Sequence, residues 1–313
     1  MSQELIVDTE DLVKNYGKFT AVDNLNLKIG RGEIFGFLGP NGAGKTTTIL
    51  MLLGLTEPTS GKVSVCGYNP AREPLKVKSQ VGYLPEKIGF YEDLTARENL
   101  EYTAALNGRR HRDMHPKIME VLKLVGLGDR VNEKVGQFSH GMKQRLGIAD
   151  VMIKEPRVIF FDEPTSGIDP QGVDEILKLI KQMARENVTA IISTHQLHQI
   201  QTICTKVGIM SKGKMVAEGP ISMLGKDTVA QGKYQIQVMA SPMEPQLIDA
   251  IKAIQGVEMA ELIGDSLMVT SASDIRQKIS ATVINSGAAL LGLKMEEYNL
   301  HDIYLNIFRE SQK

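Results

Sequence analysis

Eight residues, Gly39-Pro40-Asn41-Gly42-Ala43-Gly44-Lys45-Thr46, constrain this chain more than any other stretch. Their spacing is G-x-x-x-x-G-K-[ST], the pattern of a phosphate-binding loop, which works only between a strand and a helix. Both flanks are present: the apolar run Ile34 to Leu38 precedes the loop, and a helical pattern from Thr46 to Leu55 follows it. In such a loop successive backbone N–H groups turn inward around a phosphate, and the helix start adds the positive end of its dipole. Lys45 then reaches the β- and γ-phosphates of a nucleoside triphosphate, and the Thr46 hydroxyl can ligate Mg²⁺.

With 313 residues the chain is long enough for two domains, and 42% hydrophobic against 23% charged residues supplies ordinary globular cores. A net charge of -1 argues against a broad electrostatic grip on nucleic acid. Cys66 and Cys204 are far apart and form no C-x-x-C pair, so two reduced thiols are expected. Met1 to Glu10 is acidic and lacks an apolar stretch, so no leader is expected there. The apolar segment Ala281 to Leu293 is interrupted by Asn285 and Ser286 and is too short to span a bilayer. Any part in a membrane process is therefore expected from the water side.

Leu5 to Ile29 alternates in short apolar and polar runs punctuated by Tyr16-Gly17 and Asp23-Asn24, which predicts short antiparallel strands. Lys62 to Cys66 reads as another strand. From Thr95 to Lys154 the spacing is helical, as with Ile118, Val121, Leu122 and Val125. Arg157 to Phe161 and Thr189 to Ser193 are compact apolar strands around the amphipathic helix Val173 to Arg185, an order that implies a parallel sheet with right-handed crossovers. Lys212-Gly213-Lys214 predicts a hairpin turn. Near Gly225 the pattern changes. A strand from Tyr234 to Met239, a stripe at Leu247, Ile248, Ile251 and Ile254, and a hairpin about Gly264-Asp265 follow. A helix on Ile275, Ile279 and Val283, a strand at Leu290 to Met295 and a final helix from Asp302 to Phe308 complete a small α+β domain. The expected division is 1–224 and 225–313, with a helical subdomain over about 87–155.

Two further elements carry chemistry. In Val158-Ile159-Phe160-Phe161-Asp162-Glu163-Pro164, apolar residues bury a strand and Asp162 emerges at its C-terminal end, where ligands collect in open α/β sheets. Asp162 is placed to hold Mg²⁺, and Glu163 to polarise an attacking water as a general base. In Phe138-Ser139-His140-Gly141-Met142, Ser139 reads as a helix N-cap, and Gly141 lets the helix start approach an anion. Two readings of that segment stand: a capped helix and nothing more, or a second phosphate-facing helix start that serves the nucleotide of another copy. His195 and His198 have no third metal ligand at suitable spacing.

Together these motifs resemble the nucleotide-binding subunit of ATP-binding cassette (ABC) transporters over roughly Leu5 to Gly219. The resemblance implies a P-loop α/β ATPase core with an antiparallel β subdomain and a helical subdomain. It also implies that Tyr16 stacks on adenine, that the loop from Gly39 through Thr47 holds the phosphates, and that Asp162 and Glu163 are the Walker B pair. Ser139 to Met142 matches the signature motif, Ser166-Gly167-Ile168-Asp169 the D-loop, and His195 the switch histidine that meets the γ-phosphate. The chain departs from the family twice. The usual Leu-Ser-Gly-Gly-Gln signature reads Phe138-Ser139-His140-Gly141-Met142, and the Q-loop glutamine is replaced by Glu86, which can meet Mg²⁺ or water but donates no hydrogen bond. Both variants, and the ending from Tyr298 to Tyr304, resemble ATPase subunits of the ABC-2 type, which include drug, sodium and antibiotic exporters.

Implied cofactors are ATP and Mg²⁺. Implied partners are a second cassette, as homodimer or paired ATPase, and an integral membrane permease, with the chain peripheral at the inner face of the membrane and no nucleic acid bound. The alternative is a soluble ABC ATPase acting on nucleic acid or the ribosome; the tandem cassette or long coiled coil typical of those proteins is not seen. A third reading, a non-catalytic regulatory cassette, runs against the intact Walker residues. No N-K-x-D motif points to a GTPase. The C-terminal segment is open to three roles: dimerisation, ligand sensing or stabilisation of the cassette.

Overall fold

Three fully buried strands form the centre: β3 (Ile34–Leu38), β6 (Val158–Asp162) and β7 (Thr189–Thr194). Near-continuous apolar runs of this kind suit a parallel sheet covered on both faces. In this computed structural model, residues 4–109, 111–221, 223–224, 233–295 and 304 are described, without the side chains of 111–113 and 198. Contacts divide the chain into Met1–Glu218 and Gly219–Lys313.

In the first unit, a six-stranded sheet adds β5 (Val81–Leu84), β8 (Lys206–Ser211) and β9 (Lys214–Gly219), in the order β5-β6-β7-β3-β8-β9. The pairs β5–β6, β6–β7, β7–β3 and β3–β8 are parallel. A second sheet, β2-β1-β4, is antiparallel and consists of β1 (Leu5–Tyr16), β2 (Phe19–Gly30) and β4 (Ser60–Val65). Instead of several short strands, residues 5–30 form two long ones. Register shifts between Thr9 and Leu12 and between Leu12 and Lys14 break the alternation that a continuous strand would show. Asp23-Asn24 lies inside β2 and is no turn; Asn24 has φ 50°, a local irregularity. One apolar cluster joins this sheet to the central one through Leu12, Leu25, Phe35, Phe37, Ile49 and Phe160.

Helix α1 (Lys45–Leu52) leaves the phosphate loop, and α2 (Pro74–Gln80), not anticipated from the sequence, precedes β5. The helical region holds α3 (Ala96–Leu106), α4 (His111–Leu124) and α5 (His140–Met152). Thr95 and Glu98 cap α3 reciprocally, the Thr95 hydroxyl accepting from Glu98 N and the Glu98 carboxylate from Thr95 N. Helix α6 (Pro170–Arg185) links β6 to β7, with proline in its first turn, and buries Val173, Ile176, Leu177, Ile180 and Met183 along one face. A short α7 (Leu197–Gln201) follows β7.

The second unit runs β10 (Tyr234–Ser241), α8 (Pro245–Lys252), β11 (Val257–Ile263), β12 (Ser266–Ser271), α9 (Arg276–Asn285) and β13 (Ala289–Met295). Its sheet order β11-β12-β10-β13, with all pairs antiparallel, is the ferredoxin-like split βαβ arrangement. Period-two burial on β10 (Ile236, Val238, Ala240) meets the helical stripes Leu247/Ile251 and Ile279/Val283. The expected hairpin is closed by Gly264 at φ 59°, with Ile263 opposite Ser266. The helix expected at Asp302 to Phe308 lies outside the described residues, apart from residue 304. The expected fold class, a P-loop ABC core with antiparallel and helical subdomains plus a small α+β unit, is the architecture observed.

Candidate active site

Sheet order makes the C-terminal ends of β6, β7 and β3 neighbours, and each delivers part of one site. A cavity of about 380 Å³ lies there, lined by the loop residues Asn41 to Thr47 and by Glu86, Asp162, Glu163 and His195. The loop's turn requires Gly44: its φ is 106°, and an added Cβ would stand 2.5 Å from the Ala21 carbonyl oxygen. Gly39 and Pro40 line no part of the cavity. Their carbonyls instead accept hydrogen bonds from Lys45 Nζ at 2.7 and 3.2 Å. Lys45 is thus folded back over its own loop. Burial lowers its pKa, while the Glu163 and Asp162 carboxylates pull the other way.

Asp162 is fixed from two sides. The Thr46 hydroxyl donates to it at 3.1 Å, and the Ser193 hydroxyl makes a short bond to Oδ1. Behind it, burial and then the Asp162 charge push the Tyr83 phenol up to about 12, so Tyr83 stays neutral. Glu163 sits at φ 49°, a left-handed conformation that costs a non-glycine residue roughly 1–2 kcal/mol. Its carboxylate is buried at the cavity wall and accepts three hydrogen bonds. Oε2 accepts from Thr194 Oγ1 at 2.8 Å; Oε1 accepts from the His195 backbone N at 3.1 Å and from His195 Nδ1 at 2.7 Å. Nδ1 therefore carries the hydrogen, and in the neutral ring Nε2 is left as the acceptor. A strained, buried acid at the C-terminal end of an interior strand, facing a cavity, is a candidate reacting position.

The residues fit a triphosphate with its metal. Thr46 and Asp162 offer one hydroxyl and one carboxylate, the sparse donor set suited to a Mg²⁺ that keeps phosphate and water ligands. Among the described residues, no cluster of three His, Cys, Asp or Glu side chains forms a metal site without phosphate.

Other expected residues lie elsewhere. Tyr16 is half-exposed and lines no part of the cavity; Lys14 Nζ sits 4.9 Å from its ring centroid. Phe19, its cross-strand partner, lines the cavity in its place. Sequence reasoning missed Phe19, whose signal was an exposed aromatic beside the Gly17 turn. It also missed Ser193 and Thr194, polar residues that end a fully buried strand after the apolar run Ala190 to Ile192. Ser139 does cap α5, accepting from Met142 N at 3.2 Å, but neither Ser139 nor Gly141 reaches this cavity.

The model of the ABC transporter family matches residues 22–166. The bacitracin transport ATP-binding protein BcrA of Bacillus licheniformis is 39% identical over 310 residues, covering 96% of this chain and 97% of that protein. The linearmycin resistance ATP-binding protein LnrL of Bacillus subtilis is 34% identical, covering 96% and 98%. Among solved structures, a dimeric bacterial ABC transporter cassette is 26% identical with a TM-score of 0.62, over 68% of this chain and 98% of its own. Relatedness at that level, over nearly the whole of both chains, makes this protein a member of the ABC transporter family, an ATP-binding cassette ATPase subunit.

Proposed function

We propose that the chain is the motor of an ABC-2 type exporter, driven by ATP-dependent head-to-tail pairing of two copies. The observation that carries this reading is the near end-to-end match to BcrA and LnrL, whose names speak of bacitracin transport and linearmycin resistance. The separation of Ser139 and Gly141 from the cavity supports the pairing, because a capped helix start is spare within one copy. The solved cassette above was found as a dimer.

In this account the loop from Gly39 through Thr47 cradles the phosphates, and Lys45 leaves the Gly39 and Pro40 carbonyls to meet the β- and γ-phosphates. Thr46, Asp162 and Glu86 hold Mg²⁺, which supplies charge neutralisation at the phosphates when bound. Glu163 accepts the proton of the attacking water once His195 turns toward the γ-phosphate and frees Oε1. Phe19, paired across the strands with Tyr16, offers a face to the base in the place expected for Tyr16. Ser139 and Gly141 of the second copy close on the γ-phosphate. Loss of that phosphate removes the contacts that favour the closed pair. Residues 1–224 form the cassette, attached to a permease at the inner face of the membrane, and residues 225–313 an accessory domain that stabilises or dimerises it. Among the described residues no helix is long and apolar enough to cross a membrane.

Inside-out vesicles carrying this chain and its multi-helix membrane partner should accumulate an antibiotic substrate on addition of ATP, and lose that activity with Lys45→Ala. ATP hydrolysis stimulated by nucleic acid or ribosomes, with no vesicle uptake, would favour the soluble alternative.

A further inference from the structure

The third signature residue is usually glycine in the family and is His140 in this chain, and the imidazole is used. His140 opens α5, and its Nε2 lies 3.0 Å from the Ser166 carbonyl oxygen. A carbonyl only accepts, so Nε2 carries the hydrogen and donates. The ring also rests on Gly167, where an added Cβ would stand 3.6 Å from Cδ2 and Nε2. One helical turn on, the buried Gln144 amide donates to the Pro164 carbonyl at 2.9 Å. Residues four apart share a helix face, so α5 grips the segment after Glu163 at two points, the carbonyls of residues 164 and 166. That segment is short; apart from α5 it is held by the Thr165 hydroxyl, which donates to Gln199 Oε1 at 2.5 Å, and at its two ends. Ser166 N bonds back to the Glu163 carbonyl at 3.2 Å, and Asp169 caps α6 by accepting from Gly172 N.

We infer that His140 is a positioning residue. It locks the turn from Pro164 to Asp169 to the start of α5, so that the Ser139–Gly141 helix start and Glu163 move as one body. With glycine at 140 the hydrogen-bonded grip reduces to Gln144, near Glu163, and the Ser166 carbonyl loses its tie to the helix start, where Ile168 beside Gly141 is then the remaining apolar contact. The consequence rests on the two-copy reading proposed above. A helix start that meets one nucleotide is then tied to the general base acting on the other, and the face presented to the second copy is preorganised.

Two measurements test this on the full chain. In hydrogen–deuterium exchange without nucleotide, the amides of residues 165–169 should exchange faster in His140→Ala than in the parent. His140→Gln should restore protection, because its Nε2 amide keeps a donor at similar reach. Equal protection in His140→Ala, or no rescue by glutamine, overturns the latch whether or not the chain dimerises.

The second measurement uses Glu163→Gln, which should self-associate with MgATP. Adding His140→Ala should raise the ATP concentration for half-maximal association by about fivefold, the scale of one ordinary hydrogen bond, and His140→Gln should return it to within about twofold. Unchanged ATP dependence in the alanine double variant contradicts the coupling. Failure of Glu163→Gln itself to associate contradicts the two-copy reading, and the exchange experiment still decides the latch.

Discussion

Each unit of this chain has its own buried apolar cluster, and the two differ in the polar groups they bury. In the cassette unit Lys45, Asn99, Gln144, Asp162, Glu163, Ser193 and Thr194 are all buried. Among the described residues of the C-terminal unit, Ser271 is the one buried polar side chain, bonded to the Ser273 carbonyl. Burying polar groups costs free energy unless every group is partnered, so a fold built for stability alone avoids it. The cassette accepts that cost where strands β6, β7 and β3 end. The ferredoxin-like unit carries an apolar core and, among its described residues, no comparable constellation. The buried polar constellation thus lies in one unit, and the proposed division between chemistry and support can be attacked from either side.

The largest expected effect lies at the strained acid. Glu163→Gln should lower ATP turnover by about 100-fold or more, the usual loss on removing a general base, while ATP affinity stays within about threefold. Normal phosphate release from this variant would remove Glu163 from the chemistry. Lys45→Ala should weaken ATP binding by about tenfold or more, since it deletes charge-assisted bonds to phosphate. Equilibrium binding of a fluorescent ATP analogue measures this, and unchanged affinity would dissociate the loop from its role.

From the other side, Ile279→Ala removes a fully buried side chain from the C-terminal core and should cost about 2–5 kcal/mol in urea unfolding of that unit. ATP affinity should change by less than about twofold; a large change would break the division between chemistry and support.

The smallest effect is expected at Asp150, on α5. Burial raises its pKa, opposed by a Thr103 hydrogen bond and the Lys154 charge, and its Oδ1 has no partner. A raised carboxyl pKa means that the folded state binds the proton more tightly than the unfolded chain. The contribution is present below the unfolded value and is lost as pH rises through the folded value. Asp150→Asn should therefore raise the melting temperature at pH 7 by a few degrees at most, and flatten the fall of stability with rising pH above the unfolded value.

Much of the site was legible because its residues are adjacent in sequence. Gly39 to Thr46, Asp162 with Glu163, and His195 each follow an apolar run that reads as a buried strand, and the sheet order then brings the three strand ends together. Phe19 was not legible, because whether it or Tyr16 faces the cavity depends on the register of a hairpin with several shifts. The bond from His140 to Ser166 joins residues 26 apart, and no local pattern records such a pairing. Helix α2 was missed because only Val77 of its seven residues is buried, which leaves no apolar stripe to read.

The central claim is that the nucleotide site is completed by a second copy. Sedimentation of Glu163→Gln with and without MgATP tests it most directly. The account predicts a shift from monomer to dimer that requires ATP and is abolished by Ser139→Ala with Gly141→Asp. A chain that binds ATP at one equivalent and remains monomeric would contradict it.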